Sequence, residues 1–157
     1  MEKNLIIHLQ STYLFHGLKE QQLETLFEGA TVREFAPGAI ICKEFAAADS
    51  LFVVISGGAA VQKRDPVKGD IRLLRTAGEG SVLGEIAFLC EPKERSAEIA
   101  AAGPAEIVEL KYEQMQAAFK KDPRIETAIY RSWAVNLAER VKELSDAMYV
   151  FAKNRRG

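Results

Sequence analysis

The chain has 157 residues, a length typical of one domain that buries about 70% of its unfolded surface. Its 21 basic and 22 acidic residues give a net charge of −1, which argues against a dedicated nucleic-acid binder. With 48% hydrophobic residues, two cysteines and no long apolar run, the composition predicts a cytoplasmic globular domain over residues 1–157. No membrane segment and no disulfide framework are expected.

The histidine content restricts the possible catalytic chemistry. Histidine occurs twice, as His8 and His16. A catalytic zinc site usually takes three N, S or O ligands, and a thiol or serine nucleophile needs a histidine base. We therefore expect no catalytic residue, no metal site and no catalytic cofactor. Cys42 is interpreted as a small buried residue of a strand.

The first two predicted zones are a helical segment and a set of strands. Residues 1–30 are expected to be helical, because apolar residues recur at helical spacing up to Gly29, a typical helix end. Residues 31–110 change to short strands with Gly and Pro between them, including the buried run 51–55 and a hairpin around the turn 65–69. This pattern of short strands and turns predicts a mainly β fold, a jelly roll or barrel.

The third zone, residues 112–157, is predicted to be helical again. Asp122-Pro123 is a good helix start, with Asp as N-cap and Pro at the first helical position. Apolar residues then follow at steps of three or four: Ile125, Ile129, Trp133, Leu137, Val141, Leu144, Met148 and Phe151. Such a helix is longer than a small barrel can cover, so we expect a homodimer through it. The alternative is a stripe that simply packs on the barrel.

Residues 83–97 carry the strongest functional signal. The segment 84–89 can form one or two helical turns, and the N-terminus of a helix offers free N–H groups to an anion. Arg95 follows across a polar loop, and its guanidinium can bind the same anion with two hydrogen bonds. Ser96 adds a hydroxyl group. The segment therefore predicts an anion-binding site.

This segment resembles the phosphate-binding cassette of the cyclic-nucleotide-binding domain. The ten-residue step from Glu85 to Arg95, followed by Ser96-Ala97, is most similar to the bacterial catabolite activator protein branch. Similarity covers roughly residues 13–145, with Phe15-His-Gly-Leu, Ala36-Pro-Gly and the run 49–57 in the family's order. The resemblance implies an eight-stranded jelly-roll barrel with N-terminal helices and a long C-terminal helix. It also implies a non-enzymatic sensor of cAMP or cGMP.

The resemblance further implies roles for individual residues. The cyclic phosphate and ribose would be held by Gly84, Glu85, Arg95 and Ser96. In a 3′,5′-cyclic nucleotide the 2′-hydroxyl is the only free ribose donor, and the Glu85 carboxylate can accept from it. The base would lie near Leu74, Arg75 and Leu83. The complete expected ligand set is Gly84, Glu85, Ile86, Arg95, Ser96, Ala97, Leu74, Leu83 and Arg140.

Two positions depart from the family pattern. Where relatives often have Glu-Gly-Asp, the chain has Glu44-Phe45-Ala46, and we expect the missing turn glycine to change a loop remote from the cassette. On the long helix, Arg140 and Val141 stand where cAMP-preferring relatives often contact the base through Thr and Ser. Arg140 is expected either to cap the base or to form a solvated ion pair with nearby glutamates.

The sequence therefore predicts a sensor whose ligand shifts the C-terminal helix and so acts on an unknown downstream protein. No direct contact with nucleic acid or membrane is expected. Three alternatives remain: the sensor fragment of a transcription regulator without its DNA-binding domain, a degenerate cassette that serves as a protein-interaction module, and a cupin-like enzyme. The paucity of histidine disfavours the enzyme. The base stays open between cAMP and cGMP, and a cyclic dinucleotide is a further candidate.

Overall fold

The structure is a computed structural model that describes the backbone of residues 3–154 and the side chains of residues 5–151. The ends of the expected domain, residues 1–2 and 155–157, lie outside this range. In chain order the elements are α1 (Lys3–Ser11), α2 (Glu20–Leu26), β1 (Thr31–Phe35), β2 (Ile40–Cys42), β3 (Ser50–Ser56), β4 (Ala59–Arg64), β5 (Ile71–Ala77), β6 (Val82–Leu83), α3 (Glu85–Leu89), β7 (Glu98–Ala101), β8 (Ala105–Lys111), α4 (Tyr112–Lys121) and α5 (Pro123–Asn154).

The eight strands form two antiparallel sheets of four strands each, in the orders β1-β8-β3-β6 and β2-β7-β4-β5. Every strand contributes a side chain to the core between the sheets, from Phe35 of β1 to Ile107 of β8. The expected fold, an eight-stranded jelly-roll barrel with helices at both ends, is confirmed.

Strand β3 shows why a continuous apolar run suits the centre of this fold. Successive strand residues point to opposite faces of a sheet. Phe52 and Val54 enter the core between the sheets. Leu51, Val53 and Ile55 enter a second core, where the helices cover the outer face of the first sheet. Both faces of β3 are therefore buried, and polar alternation would be unfavourable there.

The predicted helical zone 1–30 is only partly helical, because α1 ends at Ser11 and α2 covers Glu20–Leu26, so residues 12–19 lie outside both helices. Gly29 follows α2 and has a φ of 76°, a left-handed conformation that glycine adopts at low cost. At the start of α5, the Asp122 carboxylate accepts a hydrogen bond of 3.0 Å from the backbone N–H of Arg124, as expected of an N-cap.

Helix α5 leaves the barrel after about its first five turns, beyond Arg140. Its early residues Ile125, Ile129 and Trp133 are fully buried, whereas every residue from 141 to 150 is exposed. The expectation that this helix outruns the barrel is confirmed. Within the described residues, no helix combines the length and the hydropathy that a membrane span requires.

A bulge in the β4–β5 hairpin places two consecutive side chains toward one cavity. Val61 pairs with Arg75, but Gln62 pairs with Leu73, so Leu74 has no partner on β4. In a regular strand, residues 74 and 75 would point to opposite faces. Because the extra residue locally changes this alternation, both Leu74 and Arg75 line the same cavity.

Candidate functional site

A cavity of about 300 Å³ opens between the β4–β5 hairpin, the segment from β6 to β7, and helix α5. Its volume lies at the small end of ligand pockets. All nine residues of the expected ligand set line it: Leu74, Leu83, Gly84, Glu85, Ile86, Arg95, Ser96, Ala97 and Arg140. Arg75 lines it too. The fold thus brings together expected ligand residues that are up to 66 positions apart in the chain, from Leu74 to Arg140.

Four further lining residues were not anticipated: Val61, Lys63, Ala87 and Ile99. For the three on strands, Val61, Lys63 and Ile99, the available sequence signal is strand alternation, whereas Ala87 lies on α3 within the cassette. Val61 and Lys63 are two residues apart on β4 and therefore share a face. The Lys63 ammonium lies 3.0 Å from a carboxylate oxygen of Glu44, so its charge is already paired.

Gly84 permits the close approach on which the cassette depends. Its φ is 95°, and a Cβ at this position would lie 2.7 Å from Arg95 Nη1 and 3.1 Å from the carbonyl oxygen of Ser50. The Tyr112 hydroxyl donates a hydrogen bond of 3.2 Å to the Gly84 carbonyl. Any larger residue would both strain the backbone and displace the Arg95 guanidinium.

Arg95 is a buried cation, with 4% of the residue exposed. Its Nη1 donates to the Ser50 carbonyl at 2.7 Å, and its Nη2 donates to the Ser50 hydroxyl at 2.9 Å. The guanidinium carbon lies 4.8 Å from the centroid of the Phe52 ring. Arginine has five N–H donors, so three remain beyond the two that Ser50 accepts. A buried guanidinium with spare donors is suited to bind an anion.

Glu85, the first residue of α3, is the buried carboxylate of the cavity, with 3% of the residue exposed. Arg140 Nη1 donates to its Oε1 at 2.8 Å, and Arg75 Nη2 lies 4.0 Å from the same oxygen. Arg140 therefore forms an ion pair, although not the expected solvated pair with nearby glutamates, and its contact with the base stays a prediction. Its partner is a buried residue of the cavity, because α5 carries Arg140 across the cavity mouth.

An aromatic cluster connects α3 to the helices that follow the barrel. The Phe88 ring lies 4.9 Å from the Tyr112 ring of α4 and 5.3 Å from the Trp133 ring of α5, between centroids. Nearby, burial and the negative charge of Glu85 raise the pKa of Tyr13 to about 12. Helix α3 thus packs through Phe88 directly against the N-terminal part of α5.

One expectation about the loop at Glu44-Phe45-Ala46 is wrong, because this loop is not remote from the cassette. The Phe45 N–H donates to the Arg95 carbonyl at 2.8 Å, and the Arg95 N–H donates to the Ala46 carbonyl at 2.9 Å. Phe45 takes the position of the missing glycine with a φ of 63°. The left-handed turn is therefore kept, and it fixes the backbone of Arg95.

The cysteines lie apart from this chemistry. Cys42 is half-buried on β2, and burial raises the pKa of its thiol, while Cys90 is exposed. Across the described residues, no group of three or more His, Cys, Asp or Glu side chains is arranged to hold a metal ion.

The fold and the site define a class of protein, a jelly-roll domain with a charged ligand cavity beside a short helix. The family model for the cyclic nucleotide-binding domain matches residues 32–122. The chain belongs to this family.

Comparison with individual proteins is consistent with this assignment. The chain is 32% identical over 103 residues to cGMP-dependent protein kinase, isozyme 1, of Drosophila melanogaster, a match that covers 65% of the chain and 13% of the kinase. It thus spans only a small part of that relative's length.

Among solved structures, the chain is similar to the N-terminal domain of a transcriptional regulator from Streptomyces coelicolor A3(2), with 26% identity, coverage of 90% of this chain and 94% of that chain, and a TM-score of 0.71. It is also similar to the catabolite activator protein of Thermus thermophilus, with 25% identity, coverage of 90% and 63%, and a TM-score of 0.73. The expected resemblance to the catabolite activator branch is confirmed at the level of the family and the fold.

Proposed function

We propose that this domain is a sensor that binds cAMP or cGMP in the cavity between the cassette and α5. The observation that carries the proposal is that one small cavity has both a buried cation, Arg95, and a buried anion, Glu85, on its wall. Burying a charge is costly unless it is hydrogen-bonded or paired. Glu85 is paired with Arg140, whereas Arg95 is held by the neutral acceptors of Ser50 and keeps three N–H donors for an anion. A cyclic nucleotide offers a matching pair of groups, an anionic phosphate and a free 2′-hydroxyl donor.

Each cavity residue has a role in this proposal. Arg95 binds the cyclic phosphate through its free N–H donors, assisted by the Ser96 hydroxyl. Glu85 accepts the hydrogen bond of the 2′-hydroxyl. Ile86 and Ala97 border the sugar and phosphate, while Leu74 and Leu83 cover the base with apolar surface. No catalytic step is required of any of these groups, and the domain regulates without acting as an enzyme.

We propose that α5 transmits the binding signal. Arg140 of α5 holds the carboxylate that would accept the ribose hydroxyl, so the ligand and the helix contact the same group. Phe88 of α3 packs against Trp133 of α5, so movement of the cassette also reaches the helix through packing. A ligand that contacts Glu85 therefore changes the relative stability of the possible α5 positions, a shift of population between conformations.

The distal part of α5 supplies the surface that a shift would expose or cover. Val141, Leu144 and Met148 are between 62% and 71% exposed, and their spacing of three and four residues is that of a coiled-coil seam. The occupant we propose is the same helix of a second copy, because an identical stripe is self-complementary in a two-fold pair. The resulting homodimer would act on an unknown downstream protein, without direct contact with nucleic acid or membrane, in the cytoplasm.

A second candidate, the sensor part of a transcription regulator, is supported by the similarity to the N-terminal domain of the Streptomyces regulator, of which the chain covers 94%. The ligand site is the same in both proposals. They differ in the output, which a search for DNA binding by the full-length gene product would reveal.

Titration calorimetry with cAMP and with cGMP tests the ligand proposal. We expect binding of at least one of them, and a loss of about tenfold or more in affinity for Arg95→Ala, because a hydrogen bond to a charged group contributes about 1.5–3 kcal/mol. Arg72→Ala is the matched control, since Arg72 is an exposed residue of β5 that does not line the cavity.

Two results would reject the ligand proposal. The absence of heat with both nucleotides at millimolar concentration, together with unchanged melting curves, would favour a degenerate cassette that serves as an interaction module. Wild-type affinity in Arg95→Ala would mean that the phosphate is bound elsewhere. The melting temperature of each variant shows whether it is folded.

A further inference from the structure

We propose that Ser50 is a positioning residue, which aims the Arg95 guanidinium at the anion without neutralising it. The inference rests on the proposed function, because it concerns how Arg95 binds the cyclic phosphate. Ser50 does not line the ligand cavity, and it would not touch the ligand.

Ser50, one small residue, makes two hydrogen bonds to the Arg95 guanidinium. The Ser50 carbonyl accepts from Nη1 at 2.7 Å and its hydroxyl accepts from Nη2 at 2.9 Å. Ser50 is 1% exposed and Arg95 is 4% exposed, so solvent does not compete for these bonds. Two hydrogen bonds to different nitrogens, with the Phe52 ring 4.8 Å below, fix both the position and the plane of the group.

Ser50 holds the guanidinium without cancelling its positive charge. The two atoms that hold Arg95 are a carbonyl oxygen and a hydroxyl oxygen, and neither is ionised. Two carboxylates lie farther away: that of the exposed Asp49, with its Oδ1 4.0 Å from Nη2, and that of Glu109, which bonds to the Ser50 hydroxyl. A guanidinium held by neutral acceptors keeps its positive charge for a phosphate, whereas a carboxylate at hydrogen-bond distance would compete with the phosphate for it.

The orientation of the Ser50 hydroxyl is also fixed by its neighbours. A hydroxyl has one hydrogen to donate and two lone pairs to accept with. The Ser50 Oγ lies 3.0 Å from Glu109 Oε1 and 3.1 Å from Asp49 Oδ1, so a carboxylate takes its hydrogen. Its lone pairs are thereby left for Arg95. Lys111 bridges the two carboxylates, with its Nζ 2.9 Å from an oxygen of each.

This set of contacts connects the phosphate site to the beginning of α4. Lys111 is the N-cap residue of α4, and Arg33 of β1 binds the other oxygen of Glu109 at 3.1 Å. The orientation of Arg95 is therefore set by strands β1, β3 and β8, behind the cavity. A substitution at Glu109, Lys111 or Arg33 would therefore alter ligand affinity, although none of these side chains contacts the ligand.

The test measures affinity for cAMP and cGMP by titration calorimetry in Ser50→Ala, Arg95→Ala and the double variant. We expect Ser50→Ala to weaken binding by about fivefold to twentyfold, less than the loss for Arg95→Ala, because the backbone carbonyl of residue 50 still accepts from Nη1. In the Arg95→Ala background the same substitution is expected to change affinity by less than about twofold, because two residues that act as one unit are not additive. Ser50→Thr, which keeps the hydroxyl, should restore most of the affinity.

A second pair of variants, Ser50→Thr and Ser50→Val, separates the effect of the hydroxyl group from a change in packing. Threonine and valine have nearly the same shape and both suit a strand, so Ser50→Thr and Ser50→Val differ mainly in the hydroxyl group. We expect Thr to bind the nucleotide at least about fivefold more tightly than Val, at matched melting temperatures.

The failures of the two proposals are distinguishable. If the wild type binds and Arg95→Ala loses affinity, but Ser50→Ala binds like the wild type, the positioning role is wrong and the ligand proposal stands. An equal loss on Ser50→Ala with and without Arg95 would also reject the positioning role, since Ser50 would then act independently of it. A wild type that binds neither nucleotide overturns both proposals.

Discussion

Arg140 Nη1 lies 2.8 Å from Glu85 Oε1, so a helix that follows the barrel is bound to the buried carboxylate inside it. A buried carboxylate without a partner is strongly unfavourable. Arg75, 4.0 Å away, is too distant for a full hydrogen bond. The pair therefore secures the carboxylate and the middle of α5 at the same time.

We expect Arg140→Ala to lower the free energy of unfolding by about 1 kcal/mol, well below the loss for a fully buried pair, because solvent screens the Arg140 side chain, which is 36% exposed. The effect should shrink in a Glu85→Gln background, since the charge to be paired is then absent. Urea denaturation of the four proteins gives this coupling energy. Lys142→Ala, an exposed change on the same helix, is the control, and equal effects of the two alanine variants would contradict the prediction.

The donors at the cavity mouth also predict a preference between the two nucleotides. Guanine presents two acceptors on one edge, O6 and N7, whereas adenine presents one acceptor and an amino donor there. Arg75 and Arg140 have only donors to offer. We therefore expect cGMP to bind about tenfold more tightly than cAMP, within the 1–3 kcal/mol of a well-formed arginine–guanine contact.

Competition calorimetry with both nucleotides measures this preference directly. The double variant Arg75→Gln/Arg140→Gln should reduce the ratio of the two affinities toward one, because glutamine offers both a donor and an acceptor and so serves either base. Tighter binding of cAMP by the wild type would exclude guanine recognition by these arginines.

The ionic cluster behind Arg95 predicts a loss of stability in acid. Although burial opposes it, hydrogen bonds from Lys111, Ser50 and Arg33 lower the pKa of Glu109, and the Lys111 hydrogen bond lowers that of Asp49. A carboxyl group whose pKa is lower in the folded state stabilises the fold above its unfolded pKa. This contribution is lost as the pH falls through the folded pKa.

We therefore expect the stability difference between the wild type and Glu109→Gln to be largest near neutral pH and to shrink as the pH falls from about 5 toward 3. Denaturant midpoints across this range provide the measurement. Lys111→Met removes the donor common to both carboxylates and should flatten the pH profile in the same direction. Parallel profiles for the wild type and Glu109→Gln would show that this carboxylate is not linked to folding.

Much of the fold follows from local patterns, because the patterns and the tertiary packing agree. The run at β3 is apolar at every position from 51 to 55, as a strand buried on both faces requires. Glycine at 29 and the Asp-Pro pair at 122–123 delimit helices by backbone chemistry alone. The cassette was predictable for another reason, since its residues lie within fifteen positions of one another.

The parts that were missed involve partners that are distant in the chain. The loop at 44–46 bonds to the backbone of Arg95, about 50 positions later, and nothing in its own sequence indicates this neighbour. Helical spacing places Arg140 on a face of α5, but the spacing does not reveal that the face meets Glu85. Ser50 stands directly before the predicted apolar run 51–55, and its contacts with Arg95 depend on how β3 lies beside the cassette.

The left-handed backbone conformation of Phe45 leads us to expect an effect of this residue on stability. Phe45 has a φ of 63° and is 72% exposed, so it has the backbone strain of a side chain in this region and little compensating burial. In the left-handed region, a residue with a Cβ is less stable than glycine by about 1–2 kcal/mol. Glycine keeps only part of this advantage, because its unfolded chain has more conformational freedom to lose on folding. Phe45→Gly is expected to be more stable than Phe45→Ala by about 1 kcal/mol, because both lack the ring and only alanine keeps the Cβ.

Denaturant unfolding of the two variants provides the comparison, and the wild type shows what the exposed ring itself contributes. Because Phe45 and Ala46 bond to the backbone of Arg95 at 2.8 and 2.9 Å, relief of the strain should also leave nucleotide affinity intact or improve it, provided that glycine keeps the turn. Equal stability of Phe45→Gly and Phe45→Ala would mean that the turn is not strained. A gain in stability combined with a loss of affinity would mean instead that the stiffness of a non-glycine residue holds Arg95 in place.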